Sequence, residues 1–550
     1  MFKGHPKGLI VAFFANMGER FGFYTMMAIL VMYLQAKFNL GSGDAGLIYS
    51  IFYFSIYGLA LLGGFLADRT QNYKGIIMFG IIIMFLGYVL MAIPGLGLIF
   101  SLLGLFTIAF GNGLFKGNLQ ALVGQMYDSP EYSHLRDSAF SIFYMGINIG
   151  AFFAPNAARA IRSWYLGING FKYDADLPNL CNQLISGHLT DTSKLQQLAN
   201  TASINPVTDL TTFAHNYINV FSTGYNYAFG IAAIAMLISL LSYVLFKSYL
   251  PDRKALTSSG QLNINQMSKE EEKQRLITLG LVFLVVIFFW MSFHQNGLTL
   301  TFFARDYTVK TVSPFTFIFF NIFSFLSFLA ALYGLFFLLK RNTKPAVRAI
   351  GGVLLILGGY LTYLQYQGFG LENLIEPEVF QQFNPIFIVV LTPIVVGLFA
   401  WLNKRGKEPS TPRKIGIGML LAALGFLVML LGSMNLISPS ELAGQPSPER
   451  VSAYWLISTY FILTVAELFL SPMGLSFVSK VAPPRFQGLM QGGWLGATAI
   501  GNQLLFVGST MWGKVEIWQV WLIFVVCCLV SAAFIFSIMK RLEKVTNTIK

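Results

Sequence analysis

Charge is what this sequence is shortest of. Only 11% of its 550 residues are Asp, Glu, Lys or Arg, where a soluble globular domain has about 25%. With 55% hydrophobic residues and a mean hydropathy of +0.63, such a chain cannot clothe a water-facing surface. Cysteine is scarce too. Of the three, Cys527 and Cys528 lie in the last apolar stretch and Cys181 stands alone in a polar segment, so neither a disulfide framework nor a metal cluster can be assembled. Catalytic signatures are also missing. There is no Walker-A pattern, no Gly-x-Ser-x-Gly elbow and no His-Glu-x-x-His, which argues against an enzyme and against ATP as a motor. No cofactor is expected.

What fills the sequence instead is about fourteen apolar stretches of roughly 20 residues or more, the first at 8–36 and the last at 517–541, each long enough to cross a bilayer as a helix. The fold class is all-α, a polytopic membrane protein. The segment Met1 to Gly8 is short and basic, and the run after it is too long and lacks a small-residue cleavage site. It reads as a retained first helix.

The formal charge of +13 reports topology and not nucleic acid. Lys and Arg gather in alternate loops: Arg69 and Lys74; Arg253, Lys254, Lys269, Lys273 and Arg275; Lys340, Arg341, Lys344 and Arg348; Lys404, Arg405, Lys407, Arg413 and Lys414; Lys480 and Arg485; Lys540, Arg541 and Lys544. Placing these in the cytoplasm satisfies the positive-inside rule and puts both termini there. Two segments are soluble: a loop at 164–222 rich in Asn, Thr and Asp, expected outside, and a charged cytoplasmic linker at 250–273. The linker divides an N-terminal six-helix bundle, 1–249, from a C-terminal part, 274–550, that has eight spans. Six plus six with an accessory hairpin at about 313–367 fits that count, and related halves around a central cavity are the usual transporter plan.

Glu19 and Arg20 stand side by side in the first apolar helix. A charge at membrane depth costs on the order of 3 kcal/mol by insertion scales, so such residues face a cavity or a protein interior and find partners. Lys116 and Glu467 raise the same question.

Gly63-Gly64-Phe65-Leu66-Ala67-Asp68-Arg69, read as the loop after the second span, resembles the signature loop of the major facilitator superfamily. Asn16-Met17-Gly18-Glu19-Arg20-Phe21-Gly22-Phe23-Tyr24 resembles the first-helix motif of the proton-dependent oligopeptide transporters. Phe143-Tyr144-Met145-Gly146-Ile147-Asn148-Ile149-Gly150 is similar to that family's fifth helix, and Phe289-Trp290-Met291-Ser292-Phe293-His294-Gln295-Asn296-Gly297 to its seventh. Gln382-Phe383-Asn384-Pro385 resembles the eighth, and Glu467 to Ser476 followed by Lys480 to Gly488 the tenth and the turn after it. These matches are colinear along nearly the whole chain.

The resemblance implies a major facilitator fold and secondary active symport of di- and tripeptides with protons, by alternating access, in a bacterial inner membrane. The expected partners are small peptides, protons and the lipid bilayer, with no nucleic acid, and the protein is expected to work as a monomer. A peptide carries an ammonium at one end and a carboxylate at the other, so its cavity needs fixed charges of opposite sign with amides and aromatics between. By resemblance Glu467 holds the amino end, while Arg20 and Lys116 serve the carboxylate or the proton relay. Tyr24, Tyr57, Tyr144, Asn148, Trp290, Phe293, Asn384, Ser471 and Trp494 match the pocket lining. Glu19, Arg20, Lys116 and His294 form the coupling set.

Each of these has a structural reading beside the functional one. The charged residues can be ion pairs that lock helices, the aromatics can be packing, and Asn148, Asn384 and Ser471 can be hydrogen bonds between helices. Four positions depart from the family pattern. Asn16 and His294 stand where acids are expected, Phe23 replaces a tyrosine and Met27 a second arginine. His294 is either a neutral hydrogen-bonding histidine or a group titrating near neutral pH. His5, His134, His188 and His215 fall in loops or at span ends. Loss of two acids beside Arg20 and Lys116 keeps another solute open, either a different amine-bearing one or an anion such as nitrate. A channel, which would need continuous pore-lining rings, and a scaffold role for the loop 164–222 are further alternatives.

Overall fold

In hydrocarbon every peptide group must be satisfied within the chain, and a helix does this by itself. The computed structural model describes residues 2–127, 129–251, 268–340, 344–442, 444–483 and 486–547. The chain opens with α1 (Lys7–Phe38), α2 (Ser42–Thr70), α3 (Tyr73–Ala92), α4 (Leu98–Gln125) and α5 (Arg136–Ile168). Two short helices, α6 (Leu177–Ile185) and α7 (Ser193–Ala202), precede the long α8 (Leu210–Phe246). Then come α9 (Lys269–Phe293), α10 (Thr299–Asp306), β1 (Thr311–Val312), α11 (Pro314–Phe317), α12 (Ile322–Leu339), α13 (Pro345–Gln367) and β2 (Asn373–Leu374). The chain continues through α14 (Phe383–Lys404), α15 (Thr411–Ser433), α16 (Ala453–Val481), α17 (Gln487–Gln503), α18 (Phe506–Met511), α19 (Ile517–Ser537) and α20 (Met539–Asn547). Among the described residues thirteen helices are long and apolar enough to span a membrane. This is an all-α polytopic membrane protein.

The structure refines several sequence readings. The span expected at 486–512 breaks at Leu504–Leu505 into α17 and α18. In the stretch where a hairpin was expected, about 313–367, lie α12 and α13, and Asn321 starts α12 by accepting from the backbone N–H groups of Phe323 and Ser324 at 3.0 and 3.1 Å. The Gly63–Arg69 segment is no loop but the last turns of α2, since nothing in it interrupts the backbone ladder. The polar loop expected at 164–222 shrinks to 169–209 and is itself folded. Asp209 starts α8 early by accepting from the N–H groups of Thr211 and Thr212. Within it Cys181 is fully buried, and that burial pushes its thiol up to about 12. Of the linker expected at 250–273, residues 252–267 lie outside the described residues, and Lys269 to Lys273 form the first turn of α9, capped by Ser268.

Two sets of helices pack internally. In the first, α1 lies against α5 and α8, and α4 against α2 and α3. In the second, α15 lies against α16 and α19, and α9 against α17 and α19. The strand pair sits outside the helices, antiparallel, with Thr311 opposite Leu374 and Val312 opposite Asn373. With the broken α17–α18 pair counted as one further crossing beside those thirteen helices, alternating crossings bring both chain ends to one face, where α20 reaches back to α15 through Arg413 and Glu543. The bonds joining the two sets cluster at the opposite face. Arg162, fully buried in α5, pairs with Glu376 and, at 2.5 Å, with Glu378, which lie just before α14. Asn156 donates to Gln382 at 2.7 Å.

Close approach of α2 and α4 rests on Gly63 and Gly113. A methyl on Gly63 would strike the carbonyl of Gly113, and one on Gly113 would strike Leu59, while Gly64 faces open space. Gly63→Ala is therefore expected to lower thermal stability in detergent by about 1–3 kcal/mol, the usual range for overpacking. Gly64→Ala is expected to leave the melting curve in place. Equal curves for the two would show that this contact does not hold α2 and α4 together.

Candidate functional site

The site forms where helices break. α9 ends at Phe293 and a 3-10 turn, His294–Gly297, leads into α10. Mid-helix turns of this kind free carbonyls that something must satisfy. Gln295 does so, donating to the carbonyls of Met291 at 3.2 Å and of Leu505, in the gap between α17 and α18, at 3.1 Å. Gly297 leaves room for the Tyr49 hydroxyl, which any side chain there would strike.

On the α1 side Glu19 and Arg20 are both buried and hold one another in two bonds of 2.5 Å. Asn112 of α4 donates to the same Glu19 carboxylate at 2.5 Å. The Arg20 guanidinium also sits 4.5 Å from the centre of the Phe23 ring and 5.9 Å from Tyr24. Lys116, one turn along α4 from Asn112, lies 3.9 Å over the Tyr57 ring. It has no carboxylate within ion-pair reach among the described residues. A ring face supplies part of the attraction a carboxylate would give, about 0.5–2 kcal/mol.

In the second set, Glu467 of α16 accepts from Asn384 of α14 at 2.9 Å, and Asn384 also donates to Thr464 at 3.1 Å. No cation among the described residues pairs with Glu467. Trp494 packs on Gly474, where a Cβ would collide with the indole, and meets Phe283 at 6.4 Å. His294 stacks on Trp290 at 4.7 Å and on Tyr53 of α2 at 4.5 Å. Its Nδ1 shares a hydrogen bond of 2.5 Å with Asn502.

Of the residues singled out from the sequence, the structure gathers Glu19, Arg20, Tyr24, Tyr57 and Lys116 on one wall. It gathers Asn384 and Glu467 on the other, with Trp290 and His294 at the helix break. Ser471 lies one turn past Glu467 and is half-buried. Phe293 is buried against Phe289 and Trp290, and Asn148 donates within its own helix, to the carbonyl of Tyr144. Tyr144 is 42% exposed. Sequence reasoning gave no role to Tyr53, Asn112, Asn502 or Thr464. Tyr49, Tyr53 and Tyr57 recur every fourth residue, a spacing that puts them on one helix face, and that signal was available.

Comparison with known proteins now has a geometry to rest on. The signature described as the POT family matches residues 74–262 and 362–523. The chain is 29% identical to an uncharacterized transporter, YclF, of Bacillus subtilis, over 90% of this chain and 85% of that one. It is 27% identical to dipeptide and tripeptide permease A of Cronobacter turicensis, over 90% and 82%. Among solved structures, a peptide transporter POT in complex with sulfate superposes with a TM-score of 0.67 at 23% identity, covering 99% of this chain and 96% of that one. That likeness concerns the fold.

The pairing of charges makes a stability prediction. Arg20→Gln leaves Glu19 buried without its cation and is expected to cost about 3–5 kcal/mol, whereas Glu19→Gln with Arg20→Gln recovers most of that loss. Lys116→Gln, which breaks no ion pair, is expected to change stability little. Thermal unfolding of the wild type, Glu19→Gln, Arg20→Gln, their double variant and Lys116→Gln in one detergent checks this, and additive losses for Glu19 and Arg20 would mean that the two are not coupled.

Proposed function

The chain belongs to the POT family of transporters, and from that premise we propose that it carries di- and tripeptides together with protons by alternating access. One observation carries the reading. Lys116 of the first helix set and Glu467 of the second are opposite charges, and neither has an ion-pair partner among the described residues. A free peptide offers the missing partner to each, its carboxylate to Lys116 and its ammonium to Glu467. Tyr24, Tyr57, Asn384 and Trp494 are the groups available to line the space between. Membrane depth makes such unpaired charges expensive unless a ligand or water completes them.

For the proton we assign the first role to Glu19. While ionised it holds Arg20 in two bonds, and Asn112 adds a third to the same carboxylate. Protonation would release the guanidinium for the substrate carboxylate, so proton and peptide would favour the same state, which is the differential binding that symport requires. His294 is then a neutral partner of Asn502. The protein would sit in a bacterial inner membrane with its terminus-bearing face in the cytoplasm, as its Lys and Arg distribution favours. Its two helix sets, within 1–249 and 274–550, would be the moving bodies, and the arrangement seen would be the one closed to the outside.

A second reading is an anion such as nitrate. It draws on Lys116 standing without a carboxylate while Asn16 and His294 fill positions where acids were expected.

Glu467→Gln is expected to weaken peptide binding tenfold or more at unchanged expression, because an ammonium would lose its counter-charge. Uptake of a di- and tripeptide panel in proteoliposomes measures this, and wild-type peptide affinity in the variant would sink the assignment in favour of the anion. The two readings also differ electrically. Glu19, Arg20, Lys116 and Glu467 sum to zero charge, so a zwitterion with one proton makes a carrier of charge +1 and nitrate with one proton a neutral one. Peptide transport is therefore expected to generate an inward current that grows with an inside-negative potential, by about 2.3 kcal/mol per 100 mV. A substrate-driven current of zero at every potential would contradict the one-proton peptide scheme.

A further inference from the structure

The segment between α5 and α8 is larger than a connection needs and is folded. Phe171 bridges to Ser203, and α6 is fastened to α1 by Asn182, which donates to the Ala36 carbonyl at 2.9 Å. It therefore moves with the first helix set. Its acidic turn, however, reaches the second. Lys310 contacts Asp174 at 2.7 Å and Asp176 at 2.6 Å, and Arg450 contacts Asp176 at 2.9 Å. Asn179 and Gln183 of α6 both donate to the carbonyl of Gly444 at 3.1 Å.

We infer that this segment is a strap that holds the face away from the termini shut, with the Asp174–Asp176 turn of one helix set clamped between Lys310 and Arg450 of the other. The clamp is neutral, two acids against two bases, and its side chains keep 10–23% of their surface exposed. Each group can thus be hydrated when the halves part, which suits a bond made and broken in every cycle. Arg450 also donates to the carbonyls of Arg305 and Thr308 at 2.9 Å, so it grips the same stretch that carries Lys310. That stretch continues into β1, whose partner β2 leads to Glu376, and Ile375 donates to the Lys310 carbonyl at 2.8 Å. The strap and the buried Arg162 pairing with Glu376 and Glu378 are therefore joined by two residues of ladder. Release of the strap lets β1 and β2 withdraw together and carry the two glutamates off Arg162.

The inference rests on the alternating-access reading, but its test uses no substrate. Asn156→Cys, in a chain with Cys181, Cys527 and Cys528 changed to Ser, places a thiol in the seam beneath the strap. A membrane-impermeant maleimide is applied to whole cells from outside. Slow labelling is expected with the strap intact and at least fivefold faster labelling in Asp174→Asn/Asp176→Asn. Lys310→Gln/Arg450→Gln, which leaves α6 and α7 untouched, should do the same and carries the test if the first variant is not made. Raising the salt from about 0.05 to 1 M should speed labelling of the intact strap, since part-exposed pairs are screened, and should have little effect in either variant. Labelling that neither double variant accelerates overturns the strap. So does acceleration by Arg162→Gln alone, and neither result bears on whether the substrate is a peptide.

Discussion

A charge in hydrocarbon must be answered by another group, and the arrangement of this protein follows from which charges are answered internally. Arg20 and Glu19 are consecutive on one helix, a spacing that does not bring side chains face to face. They meet because the long arginine folds back, and Asn112 fixes the carboxylate that receives it. Arg162 is answered by two glutamates and by the Tyr173 ring, 3.9 Å away. Lys116 receives only an aromatic face, and Glu467 only an amide. Among the described residues the buried charges that bind helices together are thus neutralised, while Lys116 in one helix set and Glu467 in the other are left without an ion-pair partner. Incomplete charges are the natural address for a ligand that brings its own.

The same economy governs the backbone. A helix that breaks at membrane depth is tolerated only where protein satisfies the freed groups, and here one side chain, Gln295, serves two breaks at once, in α9–α10 and in α17–α18. Those helices pack against each other within the second set, so the discontinuities lie together. His294, Trp290 and Asn502 occupy the junction. Irregular backbone and unpaired charge coincide, the pattern expected of transporter sites.

Much of this was legible in the sequence, and what was not has a physical cause. Spans are legible because hydropathy over about 20 residues is a strong signal, which is why the helical plan and the Lys/Arg bias could be read directly. Helix ends outside the hydrocarbon are not, since hydropathy falls silent there. The cap at Asp209 and the helices α6 and α7 obey ordinary aqueous rules that the span pattern hides. The acid at Glu19 and the base at Arg20 stood out because charge is rare in such a chain, but nothing in a one-dimensional string says that Asn112, far along the sequence, is the third member. Nor does it say that Lys116 rests on Tyr57 without a carboxylate. Tyr53 escaped because one tyrosine among many aromatics carries little weight until the recurrence of tyrosine at every fourth residue, 49, 53 and 57, is counted. Arg162, Glu376 and Glu378 escaped because they sit at span ends, where charge is unremarkable.

The two positions where acids were expected explain each other once their surroundings are known. Asn16 donates to the Phe143 carbonyl, and His294 lies between Tyr53 and Trp290 with Asn502 at its Nδ1. Both residues have been given a carbonyl, an amide or rings as partners and not cations. Neither position offers Lys116 a counter-charge, and the lysine rests on the Tyr57 ring. The carboxylate that this part of the first set does keep, Glu19, is held by Arg20 and Asn112. The symport proposed above would require this one pair, Glu19 and Arg20, to part as cargo is loaded. Burial strengthens the pair, because the attraction between opposite charges grows as the local dielectric falls.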